Sequence, residues 1–415
     1  MVFVKDFKGA DDSERIQNAI DNRGVDGIVI IEPKPDKNPW MLDRAILLHD
    51  DTTLIIRSCT LKMTDSSRDN FIRSSNCGLG ISEPEKCNNV FIHGEGGAML
   101  VGADHPRSTG DGGKILACPC PYEVEDLKKY ADWIPEERKL SGEITFAERH
   151  DHSYGTDALR PEESHFGDWR NVGILLASVD NFSITGITLK DYHGWGISLE
   201  DCSHGEVSRI RFDARMRKTI DGMSMNIENQ DGLDLRAGCR YISISDITGS
   251  TGDDVVALTA GTGSKHRAGG SLCTTEVLPN DWTKRDSSIH DITIRTVNAK
   301  TNLCYIVRLL PVNTVIYNIV IEGIIDQEDS STNHGGTFIL GEPDSIYGKN
   351  LPDSMRNVVI SNAICRGKKP IHIAGYLTDS AISGAIIKKG RDGTVVVRRE
   401  DGTKNVSISS TVITD

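Results

Sequence analysis

Apolar residues return at every second position, in short bursts, along most of this chain. "NNVFIHGEGG" from Asn88, "DNFSITGITL" from Asp180, "GEVSRIRF" from Gly205 and "RYISISDITG" from Arg240 set the pattern. "IHDITIRTV" from Ile289, "TVIYNIVIEGI" from Thr314, "RNVVISNAI" from Arg356 and "DSAISGAII" from Asp379 continue it. Each burst is rich in Val and Ile and bounded by Gly, Asn or Asp, which predicts a period-two strand of four to seven residues. Successive bursts lie mostly about 20 to 45 residues apart, within the range of solenoid repeats. One such strand cannot bury its apolar face alone, but stacked coils can, each pairing in parallel about 4.8 Å from the next. Helical periodicity is nearly absent, which disfavours βαβ sheets. The prediction is an all-β fold, a single-stranded right-handed parallel β-helix, with residues 1–415 forming one domain.

The open first coil of such a stack invites edge pairing and needs a cover. "DDSERIQNAIDNRG" puts Ile16, Ala19 and Ile20 on one helical face, with Asp or Ser to cap the start and Gly24 to end it. It predicts a capping helix over about 11–24, followed by a first strand in "GIVIIEPK". The rhythm breaks once, from about 103 to 169, where a polar segment carries a short helix in "VEDLKKYADWIPEERK". Insertions on repeat proteins often build the binding face, so this one is expected to wall or close a cleft. His150, Asp151, His152 and His165 within it read as a solvated polar loop rather than a metal site.

Composition narrows the partners. A formal charge of −13 over 415 residues lacks the basic footprint that nucleic acid or an anionic membrane requires. No apolar run reaches the roughly 18 residues of a membrane span. "MVFVKDFKGADD" lacks the layout of a secretory signal, so a cytoplasmic protein is expected, or a secreted one that has been trimmed. The ten Cys show no CxxC pair, which argues for reduced, buried thiols and against structural zinc. No cofactor and no metal is predicted, and the oligomeric state is left open.

Two Asp-rich knots carry the chemistry. Gln230-Asp231-Gly232-Leu233-Asp234 and Thr251-Gly252-Asp253-Asp254 flank an alternating apolar stretch. Asp231 and Asp253 are 22 residues apart, about one coil, so they are expected side by side on adjacent rungs, with Asp254 and Asp234 close by. Carboxylates packed together repel, and at least one is driven toward its neutral form. Glycosidic cleavage needs that division, one protonated carboxyl for the leaving oxygen and one ionised carboxylate for water or carbon. Turn-shaping or calcium-binding acids are the plainer alternative.

Asn229-Gln230-Asp231-Gly232-Leu233-Asp234 resembles the N-T-D-G-x-D signature of glycoside hydrolase family 28, the polygalacturonase family. Gly252-Asp253-Asp254-Val255-Val256-Ala257-Leu258 resembles its G-D-D-x-x-A-[IL] signature, in the same order and spacing. Trp195-Gly196-Ile197-Ser198 is similar to its W-x-I-H element, with Ser198 in place of His. The helix-then-strand opening resembles that of pectate-lyase-superfamily β-helices. The resemblance spans much of the chain but is sharp only from about 180 to 260. It implies an inverting hydrolase with Asp253 as general acid, Asp231 and Asp254 as base and water holder, and Asp234 assisting or contacting sugar. The family's G-H-G element is replaced by "NAKTNLCYIVRLL", with Cys304 and Tyr305 near the place of the His. Its R-I-K element, which grips uronate carboxylates, is absent; "HGGTFILGE" from His334 has no basic pair. Arg308, or Lys265, His266 and Arg267, are the candidates to replace it. Tyr305 joins Arg308 as a candidate sugar contact, and Tyr192, His193 and Trp195 are candidates for an aromatic platform under a pyranose ring.

The substrate predicted is an oligo- or polysaccharide, pectin-like and uronate- or rhamnose-containing. Two other classes stay open on the same scaffold: a polysaccharide lyase or epimerase, and a non-catalytic carbohydrate-binding β-helix.

Overall fold

The alternating bursts stack into consecutive rungs of one parallel sheet. In the computed structural model, Cys87–Glu95, Val179–Thr185, Ser203–Asp213, Arg240–Thr251, Ile289–Thr301, Ile316–Asp326, Met355–Cys365 and Leu377–Ser383 each pair in parallel with the next. Their register lines up one inward row, Ile92–Ile184–Val207–Ile244–Ile294–Ile321–Ile360–Ile382. All of it is buried in a single core that runs the length of the stack. The structure describes residues 1–104 except 68, 79–80 and 82–83; 106 and 110; 169–261 except 215–216, 221–222 and 228; and 277–278, 285–327, 334–342, 350–390, 396–399 and 401–414.

A second sheet of ten strands closes the coil. We number its strands β1 (Ile46–Leu48), β2 (Ile72–Ser74), β3 (Ile174–Ala177), β4 (Ile197–Glu200), β5 (Leu233–Arg236), β6 (Val256–Gly261), β7 (Tyr305–Val312), β8 (Gly336–Leu340), β9 (Ile371–Ile373) and β10 (Val396–Arg398). They lie in chain order, every neighbouring pair parallel. The fold is the right-handed parallel β-helix that the periodicity predicted.

Strands of the first sheet exceed the expected length, reaching 13 residues in Ile289–Thr301. Left-handed residues within them explain the difference: Asp291 and Thr296 sit at φ 54° and turn the chain without ending its pairing. Successive rungs place Asn89, Asn181, His204, Tyr241, Asp291, Asn318 and Asn357 at such corners. Asx side chains tolerate that conformation and bond across rungs. Asn181 Nδ2 donates to Asn89 Oδ1 at 2.6 Å, and Asn357 Nδ2 to Asn318 Oδ1 at 3.0 Å. Where His204 and Tyr241 replace Asn, their rings stack at 5.0 Å instead.

The capping helix, α1, spans Asp12–Asp21 and buries Ile16, Ala19 and Ile20 against the first coils. Asp11 accepts from the N–H of Glu14 at 2.7 Å, and the Glu14 carboxylate accepts from Ala10 N–H at 2.5 Å, a reciprocal cap. The helix ends at Asn22 rather than Gly24. Ile28–Ile31 is not the first strand, because Val2–Phe3 precedes it and pairs with it in parallel. Seven described cysteines are free. No helix among the described residues is long and apolar enough to cross a membrane. The inserted segment and its His150, Asp151, His152 and His165 lie outside the described residues.

Candidate active site

β4 to β7 set the site by register. Ile197, Leu233, Val256 and Val307 share an inward row, so Ser198, Asp234, Ala257 and Arg308 share the outward row beside it. At the entry to these strands, corner residues stack as Trp195, Asp231, Asp254 and Tyr305, the last being the first residue of β7: Gly196 N–H donates to Asp231 O at 2.9 Å, Gly232 N–H to Asp254 O at 2.8 Å, and Val255 N–H to Tyr305 O at 3.0 Å. Asp231 therefore faces Asp254 across the rung, not Asp253 as the 22-residue spacing suggested. The coil between them is 23 residues long at this corner, as the pairing of Leu233 with Val256 requires.

Gly232 of the first Asp knot and Gly196 one rung earlier are steric necessities. A Cβ on Gly232 would stand 2.4 Å from Val255 O and 2.8 Å from the Phe212 ring, and one on Gly196 would stand 2.7 Å from both Gly232 O and that ring. Phe212 is buried beneath them, edge-on to Tyr192 at 6.0 Å. The knots are also tied directly, since the Gln230 carbonyl accepts from the N–H groups of Gly252 at 3.0 Å and Asp253 at 3.2 Å. Thr251 and Thr301 hydroxyls donate to the Asp253 carbonyl at 2.6 and 2.5 Å, and Asp254 N–H donates to Asp253 Oδ1 at 3.0 Å.

The acids converge in a buried cluster. Asp231, Asp253 and Asp254 are 6, 3 and 4 % exposed, and Asp234 1 %. Asp254 is held at both oxygens: Oδ1 accepts from Tyr305 N–H at 2.8 Å, and Oδ2 lies 2.6 Å from Arg308 Nε as an ion pair outside hydrogen-bonding alignment. Arg308 Nη1 donates to Glu342 Oε2 at 2.8 Å. Burial works against the Arg308 charge, but the Asp254 and Glu342 carboxylates outweigh it and hold the guanidinium firmly protonated. Burial drives Asp234 well above the usual carboxylate range; Arg236 opposes this, the Asp254 and Asp253 charges reinforce it, and a hydrogen bond with the Asp231 carboxyl offsets part of it.

Three polar atoms here lack what burial usually demands. Trp195 Nε1 and Ser198 Oγ are buried without a hydrogen-bond partner, and no N–H or alcohol O–H reaches Asp234 Oδ2. An unmet buried polar atom costs about 1–3 kcal/mol, so a cluster of them calls for a reason.

Among the described residues, Asp253, Asp254 and Cys304 offer ligand atoms within 4.8 Å of one another. Burial, then the Asp254 and Asp253 charges, push the Cys304 thiol far up, and Arg308 already neutralises Asp254. That set suits a divalent cation poorly, since a thiol must ionise to bind metal.

The expected aromatic platform is not formed. Tyr192 is fully buried in the core. His193 is buried too, and its Nε2 accepts from Ala103 N–H at 2.8 Å. Trp195 packs in an apolar cluster with Trp169, Val172 and Leu175, and the Arg236 guanidinium lies over its ring at 4.7 Å. Tyr305 reaches His372 Nδ1 at 3.3 Å. Burial pushes the Tyr305 phenol up to about 12 and the His372 imidazole down to about 4, so both are neutral near pH 7. Lys265, His266 and Arg267 lie outside the described residues. Reading the chain alone missed Glu342, three residues beyond Ile339, the rung partner of Arg308; only the register brings the two together.

The fold and this cluster define a class, parallel β-helix proteins with an acidic outward corner. Residues 169–275, which contain both Asp motifs, match the family model described as Glycosyl hydrolases family 28. In structure the chain is similar to the surface protein and adhesin PfbA of Streptococcus pneumoniae, at 13 % identity over 99 % of this chain and 96 % of that one, with a TM-score of 0.55. It is also similar to a tailspike protein mutant of E. coli bacteriophage HK620 in complex with pentasaccharide, at 13 % identity over 100 % and 66 % of the two chains, with a TM-score of 0.52. An exopolygalacturonase from Thermotoga maritima aligns at 16 % identity over 99 % and 91 %, with a TM-score of 0.49. No curated protein sequence matches the chain.

Proposed function

We propose that this protein is a glycoside hydrolase that cleaves an oligo- or polysaccharide with inversion, using Asp253 as general acid and Asp231 with Asp254 to hold and activate water. The observation that carries the reading is the convergence of Asp231, Asp234, Asp253 and Asp254 on two adjacent rungs, inside the segment that matches the hydrolase family. Hydrolysis needs a neutral and an ionised carboxyl, and crowded buried acids supply that division.

Inversion is supported by how Asp254 is engaged. One oxygen of Asp254 lies within 4.8 Å of one of Asp253, an atom-to-atom distance rather than the carboxyl separation that divides inverting from retaining pairs. Both Asp254 oxygens are engaged, one by Tyr305 N–H and the other by Arg308. A carboxylate so held orients water better than it attacks carbon. The lyase or epimerase alternative needs a free base and a cation for a substrate carboxylate. Arg308 is committed to two acids, and Tyr305 at about 12 is a weak base candidate, so that reading fits less well.

The test is a broad oligosaccharide panel scored for new reducing ends, wild type against Asp253→Asn. Cleavage that falls about a hundred- to ten-thousandfold in the variant is expected, the range that a positioned general acid contributes. Proton NMR of the first product should show the inverted anomer. Products with a new ultraviolet-absorbing double bond would instead assign a lyase.

A further inference from the structure

We propose that Trp195 Nε1, Ser198 Oγ and the Asp234 carboxyl form a hydroxyl-binding wall that selects an uncharged sugar ring next to the acids. The inference rests on the carbohydrate reading above and narrows its substrate class.

The wall is built by register. Ser198 and Asp234 are rung partners on the outward row, and Trp195 occupies the corner opposite Asp231. Trp195 Nε1 and Ser198 Oγ are buried with no hydrogen-bond partner, and Asp234 Oδ2 receives no N–H or alcohol O–H. Nothing in β-helix packing requires a buried serine or an indole N–H at these places; the outward positions beside them on the same rows are Leu175 and Ala257, which carry no unmet groups. Unmet polar atoms side by side, flanking a cluster of acids, are what remains when a ligand supplies the missing bonds.

Their chemistry specifies the ligand. An indole N–H only donates, and an alcohol both donates and accepts. Asp234, whose carboxyl also meets that of Asp231, adds an acceptor at Oδ2. These groups match sugar hydroxyls and ring oxygens and offer no charge to a carboxylate. The cations of β5 and β7 are already engaged, Arg308 by Asp254 and Glu342 and Arg236 over the Trp195 ring. A uronate placed against this wall would meet Asp231, Asp253 and Asp254 with its charge uncompensated by these arginines.

The experiment presents the Asp253→Asn protein to an array of neutral and uronate-bearing oligosaccharides, with titration calorimetry on the glycans bound. Carboxyl-free glycans are the expected hits. Ser198→Ala and Trp195→Phe, each added to Asp253→Asn, should weaken that binding roughly five- to tenfold, as loss of one hydrogen bond does. The thermal midpoint of the ligand-free Ser198→Ala protein should stay level or rise, because an unmet hydroxyl has been removed. Hits that require a carboxylate would overturn the inference, and the hydrolase reading would survive if wild type cleaves them. Neutral glycans bound by the variant but never cleaved by wild type would uphold the wall and sink the hydrolase. An array with no hits would overturn the wall, as would a lowered midpoint with unchanged affinity, since Ser198 would then be structural.

Discussion

At the scale of single residues, Asp234 and Arg308 carry opposite electrostatic burdens. Asp234 is held above its unfolded pKa by burial first, with neighbouring carboxylates adding to it. Between the two values the native state binds a proton that the unfolded chain has released, so stability falls as pH rises from about 4 through the folded pKa. Asp234→Asn removes that penalty. Urea melts followed by circular dichroism should therefore show the variant gaining on wild type from pH 5 to pH 8; a constant difference would mean that Asp234 is not the group titrating. Arg308→Met makes the converse test. It strands Asp254 and Glu342 in a buried setting, and breaking one side of such a pair costs about 3–5 kcal/mol, which should appear as a lowered midpoint in the same melts. The four acids were legible in the chain because they sit in short contiguous motifs. Arg308 was legible only as a candidate sugar contact; its pairing with Asp254 and Glu342 was not, since those contacts arise only through pairing across rungs, and no local pattern announces an ion pair between residues 34 positions apart.

At the scale of elements, the site depends on how closely β4, β5 and β6 approach at their entry corner. Gly232 has no room for a methyl group between Val255 O at 2.4 Å and the Phe212 ring at 2.8 Å. Gly232→Ala must push the Asp231 corner away from the Asp254 corner, at a cost of about 1–3 kcal/mol for overpacking. Asp231 and Asp254 straddle this contact, so activity should fall further than stability does; equal losses would indicate general unfolding rather than a displaced site. The sequence period placed the strands well, because Val and Ile alternation reports directly which face is buried. It placed the register one residue off, making Asp253 the partner of Asp231, because left-handed corner residues add to the coil without disturbing that alternation. The stacking platform misled for a related reason. Tyr192 and Trp195 stand next to the acids in the fold, yet one fills the core and the ring face of the other is covered by Arg236, which leaves Trp195 only its Nε1 edge, and burial cannot be read from adjacency in a rung.

At the scale of the whole molecule, a parallel stack distributes its stability between neighbours. Each rung contacts the one before and the one after, so free energy accumulates as intrinsic and interface terms rather than through one central core. The inward row makes this testable. Ile294 is fully buried, with Ile244 on one side and Ile321 on the other. Ile408 extends the same row from Ile382 but is only partly buried. Ile294→Ala should cost about 2–5 kcal/mol, the range for deleting a buried aliphatic side chain. Ile408→Ala should cost less than half of that, because its cavity opens toward solvent and the rung can relax. Hydrogen exchange should then separate the two variants: Ile294→Ala exposes amides in the rungs on both sides of it, whereas Ile408→Ala loosens only its own rung and that of Ile382. Equal costs with uniform loss of protection would mean that the coil unfolds as one unit, and the acids at the entry to β5 and β6 would then be only as rigid as its weakest rung. A graded result would place Asp231 and Asp254 in the best-supported stretch, between rungs braced from both directions, which is where a reaction that depends on fixed carboxyl geometry has to be.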